Sequence, residues 1–211
     1  MTDLVPPGGR GSERRLWLVR HGETEGQSSV RFHGSNDVLL SDEGRSQIRA
    51  LVPWLSDVPF VRVVHSPLAR AAESAAILAA GCGVTPQRLH ADERLREISF
   101  GDCEGLTAAE IATTFPEFWK AHKAGVAEGF PGGERRADFA ARVAAAARDL
   151  ALEGWQGDLL VVAHRGSVRQ TLRALLGVRE GVTDPFGVAL GSLSILREAG
   201  TWQLDLIGAL P

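Results

Sequence analysis

Leu16-Trp17-Leu18-Val19-Arg20-His21-Gly22-Glu23-Thr24 places an apolar run directly before an arginine, a histidine and a glycine. Four consecutive apolar residues with polar neighbours read as a buried strand, which delivers His21 to the loop at its end. An imidazole beside a permanently charged guanidinium, followed by a glycine that admits close backbone approach, suits a phosphate site. So short a string is also compatible with a surface turn carrying incidental polar residues, and the rest of the chain has to decide.

Working outward, the elements alternate. Ser41–Leu55 reads as a helix, Phe60–Val64 as a strand and Ser66–Ala80 as a second helix, with Ser66 as N-cap, Pro67 at the first helical position and Gly81 as the stop. A long alanine-rich helix is expected from about Glu134 to Leu152. It is followed by a strand over Leu159–Ala163 and a helix over Ser167–Leu176 stopped by Gly177. Strand-helix alternation implies a parallel sheet covered by helices, and Ser192–Leu196 with Trp202–Ile207 supply an antiparallel edge. Residues 93–133 break the rhythm and read as a small cap, with a helix opened by a Thr107/Glu110 capping box. The expected organisation is a flexible N-terminal tail over residues 1–14 and a single α/β domain over 15–211.

Composition narrows the partners. A net charge of −3 without a basic stripe argues against nucleic acid or a membrane surface. Cys82 and Cys103 lack metal-ligand spacing, so neither a thiolate zinc site nor a disulfide framework is expected. With no apolar segment of spanning length and no secretory h-region, the expected location is cytoplasmic. An exposed edge strand near the C-terminus would permit a homodimer.

Three strand ends carry the chemistry: Arg20-His21, His65-Ser66 leading to Arg70, and His164-Arg165-Gly166. In an open parallel sheet, ligands bind outside the carboxyl ends of the strands. Arg20 and Arg70 would grip phosphate oxygens, and His164 would donate to the oxygen on which charge develops. His21 is left as the nucleophile that attacks phosphorus, chemistry that needs no metal. Glu97, embedded in Leu95-Arg96-Glu97-Ile98-Ser99-Phe100-Gly101, is the leading proton donor because its setting suits general-acid use. Its rivals are Glu93, Asp102, Glu104 and Glu134, which by default are solvated loop or helix-end charges. His90 and His122 read as surface residues, His65 as a group satisfying local backbone, and His33 as a loop residue placed to line a pocket.

Assembled in order, these motifs resemble the histidine phosphatase superfamily, in the branch related to cofactor-dependent phosphoglycerate mutases. The resemblance runs from Leu16 to about Gly177 through Leu18-Val19-Arg20-His21-Gly22-Glu23-Thr24, Glu43-Gly44, His65-Ser66-Pro67-Leu68-Ala69-Arg70, Leu95-Arg96-Glu97, Pro131-Gly132-Gly133-Glu134 and Val161-Val162-Ala163-His164-Arg165-Gly166. It implies a three-layer α/β/α sandwich with a mostly parallel central sheet and no cofactor or metal. It also implies a phosphorylated His21, a pocket of Arg20, Arg70 and His164, and Glu97 as proton donor. To the phosphate-binding set it adds Gln27 and Gly166, and to the substrate-binding set Thr24, His33, Gly34 and Arg165.

Gln27 stands where relatives often carry an asparagine, Cys103 where a tryptophan is frequent, and Arg165 where a small residue is common. Ile98 after Glu97 and a short cap disfavour the mutase branch and favour a small phosphomonoester as the partner. A mutase-type phosphoryl transferase and a non-catalytic phospholigand-binding module remain the alternatives.

Overall fold

The computed structural model describes residues 13–179 and 186–211. Its six strands are β1 (Arg14–Arg20), β2 (Phe60–His65), β3 (Leu89–Ala91), β4 (Gly157–Ala163), β5 (Leu193–Ala199) and β6 (Thr201–Ala209). The helices are α1 (Asp42–Leu55), α2 (Ala69–Gly81), α3 (Ala108–Thr114), α4 (Pro116–Lys123), α5 (Arg136–Leu152) and α6 (Arg165–Leu176). The strands form one sheet in the order β3-β2-β4-β1-β5-β6. The pairs β3/β2, β2/β4 and β4/β1 are parallel, whereas β1/β5 and β5/β6 are antiparallel. This is the expected α/β sheet with its antiparallel edge.

Alternate residues of each central strand feed opposite layers, as the two-residue period of a strand requires. Trp17, Val19, Val63, Leu160 and Val162 pack with Ile48, Leu51 and Leu78 of α1 and α2. Leu16, Leu18, Val64, Leu159 and Val161 pack with Ala146, Leu150, Val168 and Leu172 of α5 and α6. With both faces covered, the centres of β1 and β4 are apolar on either side, which is why Leu16–Val19 and Leu159–Ala163 read as continuous runs. The buried Trp17 indole has one polar atom, and its Nε1 donates to Asp158 Oδ1 (2.8 Å).

A third apolar cluster, Ile98, Cys103, Ile111, Phe130, Phe139 and Val143, joins the cap to α5. The capping box at Thr107 and Glu110 forms as expected. The cap contains two short helices rather than one, because Phe115 leaves helical geometry (φ −128°, ψ 62°) ahead of Pro116.

Several expected boundaries move. β1 starts at Arg14, so that residue belongs to the sheet and not to the tail, while residues 1–12 lie outside the described residues. Ser66 is not the N-cap of α2; the helix starts at Ala69, with no side-chain cap at Leu68. Gly81 is the last helical residue, and the left-handed turn falls to Gly83 (φ 68°). α5 begins at Arg136 and α6 at Arg165. The strand β3 was not expected, since three half- or fully exposed residues carry no readable period. Among the described residues, no helix is long and apolar enough to cross a membrane.

Candidate active site

The carboxyl ends of β1, β2 and β4 converge, and backbone bonds beyond the strands knit them together. His21 N donates to Ala163 O (3.0 Å), Ser66 N to Val162 O (3.0 Å) and Arg20 N to Ser192 O (3.1 Å). Gly22 then lies so close to Gly44 of α1 that a methyl group on either would collide with the other segment's backbone. The close approach expected at Gly22 is therefore made by the protein's own helix. It fixes the direction in which the chain leaves His21.

His21 is buried, and its Nδ1 donates to the carbonyl of Gly22 (2.7 Å). That bond assigns the hydrogen to Nδ1 and leaves a lone pair on Nε2. Burial lowers the His21 pKa well below its ordinary 6.5, and the neighbouring Arg20 and Arg70 lower it further, so the ring is neutral at physiological pH. The fully buried His164 ring lies 5.1 Å from that of His21. Its pKa is likewise well below 6.5, first through burial and then through Arg70 and His21. His164 Nε2 lies 2.7 Å from Ser66 Oγ.

The cations are committed in part. Arg20 donates through Nη1 to Val188 O (3.0 Å), and burial lowers its pKa to about 10 without discharging it. Arg70, with no exposure, donates to the carbonyls of Asn36 (2.7 Å), His33 (3.0 Å) and Gly34 (2.8 Å) and so anchors that loop. Burial lowers its pKa also. Arg20 Nε, Arg70 Nε and His164 Nδ1 are buried without a hydrogen-bond partner. Three buried, unpaired donors around one neutral imidazole are costly unless an acceptor serves them.

Glu97 is buried, and its two oxygens accept from the amides of Ile98 (3.1 Å) and Gly166 (2.9 Å). A methyl group on Gly166 would displace the Glu97 carboxyl group from this position. The structure thus gives the Gly166 amide to Glu97. A cavity of about 150 Å³ is lined by Arg20, His21, His33, Glu97, Phe100 and Arg165, among others. His33 faces it while Nε2 donates to Gly26 O (2.6 Å).

Other expected residues lie elsewhere. Gln27 is exposed on a left-handed turn (φ 59°) and does not line the cavity. Thr24 Oγ1 bonds Ser28 Oγ (2.8 Å) and shapes the loop from behind, and Gly34 faces Ile98 and Glu104. His65 bonds the carbonyl of Ser66 (2.8 Å), as expected. His122, expected at the surface, is half-buried and stacks on Trp119 (5.0 Å, 7° between planes).

Three supporting residues escaped the sequence reading. Glu104, taken there as a solvated charge, accepts from the amides of Gly34 (2.9 Å), Ser35 (2.8 Å) and Phe100 (2.9 Å) and so joins two loops. Arg142 donates to the carbonyls of Arg94 (2.8 Å), Arg96 (2.8 Å) and Glu97 (3.1 Å), with Glu134 as its carboxylate partner (2.7 Å). The third is Ser66. Among the described residues, no group of three or more His, Cys, Asp or Glu is placed to hold a metal ion.

Comparison with known proteins identifies relatives of the chain. The family model described as histidine phosphatase superfamily (branch 1) matches residues 16–209. A bifunctional protein of Mycobacterium tuberculosis is 35% identical over 89% of this chain and 51% of its own length, so the chain spans about half of that relative. The glucosyl-3-phosphoglycerate phosphatase of Mycolicibacterium vanbaalenii is 32% identical over 91% of this chain and 87% of that protein. The solved structure of a mycobacterial glucosyl-3-phosphoglycerate phosphatase superposes with a TM-score of 0.81 at 30% identity, covering 93% of this chain and 99% of that one.

Proposed function

Because the chain belongs to the histidine phosphatase superfamily, branch 1, we propose that it is a phosphatase that hydrolyses a small phosphomonoester through a phosphohistidine at His21, without a metal ion. The observation that carries this reading is the set of unpaired buried donors, Arg20 Nε, Arg70 Nε and His164 Nδ1, around a histidine whose Nε2 is free. Charge-assisted bonds from such donors neutralise a phosphate and stabilise the charge that develops on its equatorial oxygens.

In the first step His21 Nε2 forms a bond to phosphorus while the phosphorus–oxygen bond to the alcohol breaks. The departing oxygen takes its proton from Glu97. In the second step Glu97, now ionised, removes a proton from water as the water oxygen attacks phosphorus. The phosphorus–nitrogen bond breaks, releasing phosphate and a neutral imidazole. The two amides that hold Glu97 keep the carboxyl group fixed in both steps.

The test is turnover of 4-nitrophenyl phosphate in excess chelator, together with acid-quenched mass spectrometry of the enzyme. Wild-type protein is expected to turn over and to carry an acid-labile phosphoryl group on His21. His21→Ala is expected to lose at least about a thousandfold in kcat/KM. Wild-type rates in the His21→Ala protein would sink the reading. Exchange between phosphoglycerates, primed by a bisphosphate and faster than hydrolysis, would move the chain to the mutase side.

A further inference from the structure

Beside the cavity at His21 lies a second one of about 380 Å³, and Phe32, Glu97, Phe100 and Arg165 line both. Glu97 is the group that meets the oxygen of the departing alcohol, so the rest of that alcohol extends past Glu97 into the second cavity. The inference therefore rests on the phosphatase reading. The character of this cavity differs from that of the first. Arg136, Arg165 and Arg169 line it, and among the described residues Glu97 is the one acidic group in its lining.

None of these three arginines comes from the cap. Arg136 and Arg165 are the first residues of α5 and α6, and Arg169 lies one turn further along the same face of α6. An arginine in the first turn of a helix opposes the helix dipole, so local helix stability does not account for two of them at one opening. Arg169 is braced by the carbonyl of Phe186 (3.0 and 2.9 Å).

Another part of the wall is aromatic, and Arg136 lies against it, 5.8 Å above the Phe130 ring. Phe100 and Phe130 pack edge to face (4.6 Å), and His122 lies between Phe130 and Trp119. Arg136 Nη2 donates to His122 Nδ1 (2.7 Å), which leaves the hydrogen of that neutral ring on Nε2. Burial and Arg136 both lower its pKa. Aromatic rings beside a cluster of guanidiniums suit a ring that bears an anion.

We propose that this second cavity is the subsite for the alcohol part of the substrate, and that it selects phosphomonoesters whose alcohol is a ring carrying a second anionic group, either a carboxylate or a further phosphate. The guanidiniums bind the second anion, and the aromatic wall takes the face of the ring.

Two esters of matched shape test it: 4-carboxyphenyl phosphate and 4-carbamoylphenyl phosphate, which differ in one charge. Wild-type protein is expected to prefer the acid by about tenfold in kcat/KM, and Arg136→Gln to bring that ratio to within about twofold. The bis-phosphate of hydroquinone, run alongside, tells which second anion the cavity favours. Equal kcat/KM for acid and amide in the wild type would overturn the proposal, as would an undiminished preference in Arg136→Gln. If neither ester turns over, calorimetric titration of the same pair separates the two readings. Tighter binding of the acid that depends on Arg136 keeps the subsite and removes the phosphatase, whereas equal affinity, or none, removes the subsite.

Discussion

Ser66 has a single hydrogen to give and no exposure to water. Its hydroxyl oxygen faces the amide of Leu68 (3.4 Å), so the hydrogen is available to His164 Nε2 (2.7 Å). Accepting there forces the His164 hydrogen onto Nδ1, the atom left without a partner. Ser66 is a positioning residue by this reasoning: it sets which nitrogen of His164 can donate. Ser66→Ala is expected to lower kcat by roughly tenfold to a hundredfold with little change in KM. The nitrogen-15 spectrum of His164 should then show a mixed tautomer, a signature that a packing defect alone would not give. The sequence could not assign this role. Ser-Pro before an apolar helix is a standard start signal, and nothing local says that the hydroxyl is claimed by a residue 98 positions away. Arg20, His21 and His164 were singled out because each ends or follows a strand, whereas Arg70 in the first turn of α2 and Glu97 among several carboxylates stood out only once the motifs were assembled in order. Gln27 misled because its position in a motif says nothing of its left-handed turn, which points it to solvent.

Among the elements, α5 does more than cover the sheet. Phe139, Val143, Ala146 and Leu150 form its buried stripe, and Arg142 stands at the edge of that stripe with its guanidinium over the Phe139 ring (4.8 Å). From there it ties down the segment that carries Glu97 through three carbonyls. Hydrogen bonds from a charged donor contribute about 1.5–3 kcal/mol each at most, so the tether is a substantial local restraint. Arg142→Leu is expected to cost about a hundredfold in kcat/KM, since a carboxyl group misplaced by an ångström loses that much. Deuterium uptake at the Glu97 and Ile98 amides should rise in the same variant, and unchanged uptake with full activity would refute the tether. A helical wheel offers the one advance signal, an arginine flanking the apolar stripe. In an alanine-rich helix that signal is easily taken for a solvated charge. The cap helices were half-legible: the Thr107 box was read, whereas the break at Phe115 ahead of Pro116, an equally local signal, was not.

For the whole molecule, the buried neutral histidines couple stability to pH. His21 and His164 have folded-state pKa values well below 6.5, whereas in the unfolded chain they titrate near 6.5. Below pH 6.5 the unfolded state therefore binds more protons, and stability falls as pH falls. The contribution is complete above about pH 6.5 and declines by roughly 1.4 kcal/mol per pH unit for each histidine until its folded-state pKa is reached. Urea midpoints measured from pH 7.5 to 5.5 should drop accordingly. His164→Gln should flatten the slope by about half, and a slope unchanged in that variant would exclude the coupling. The architecture itself was largely visible in the sequence because alternation of strand and helix is periodic and repeated. The placement of the arginines of α5 and α6 at one opening was not, since it depends on how those two helices pack.

The backbone bonds that join Arg20, His21 and Ser66 to neighbouring strands extend the ladder of the sheet itself. The loop that carries His21 is thereby tied to the core, while the second cavity is walled by cap residues together with the first turns of α5 and α6. On the phosphatase reading, substitutions at Phe130 or Arg136, which line the second cavity alone, shift the alcohol preference and leave the surroundings of His21 in place.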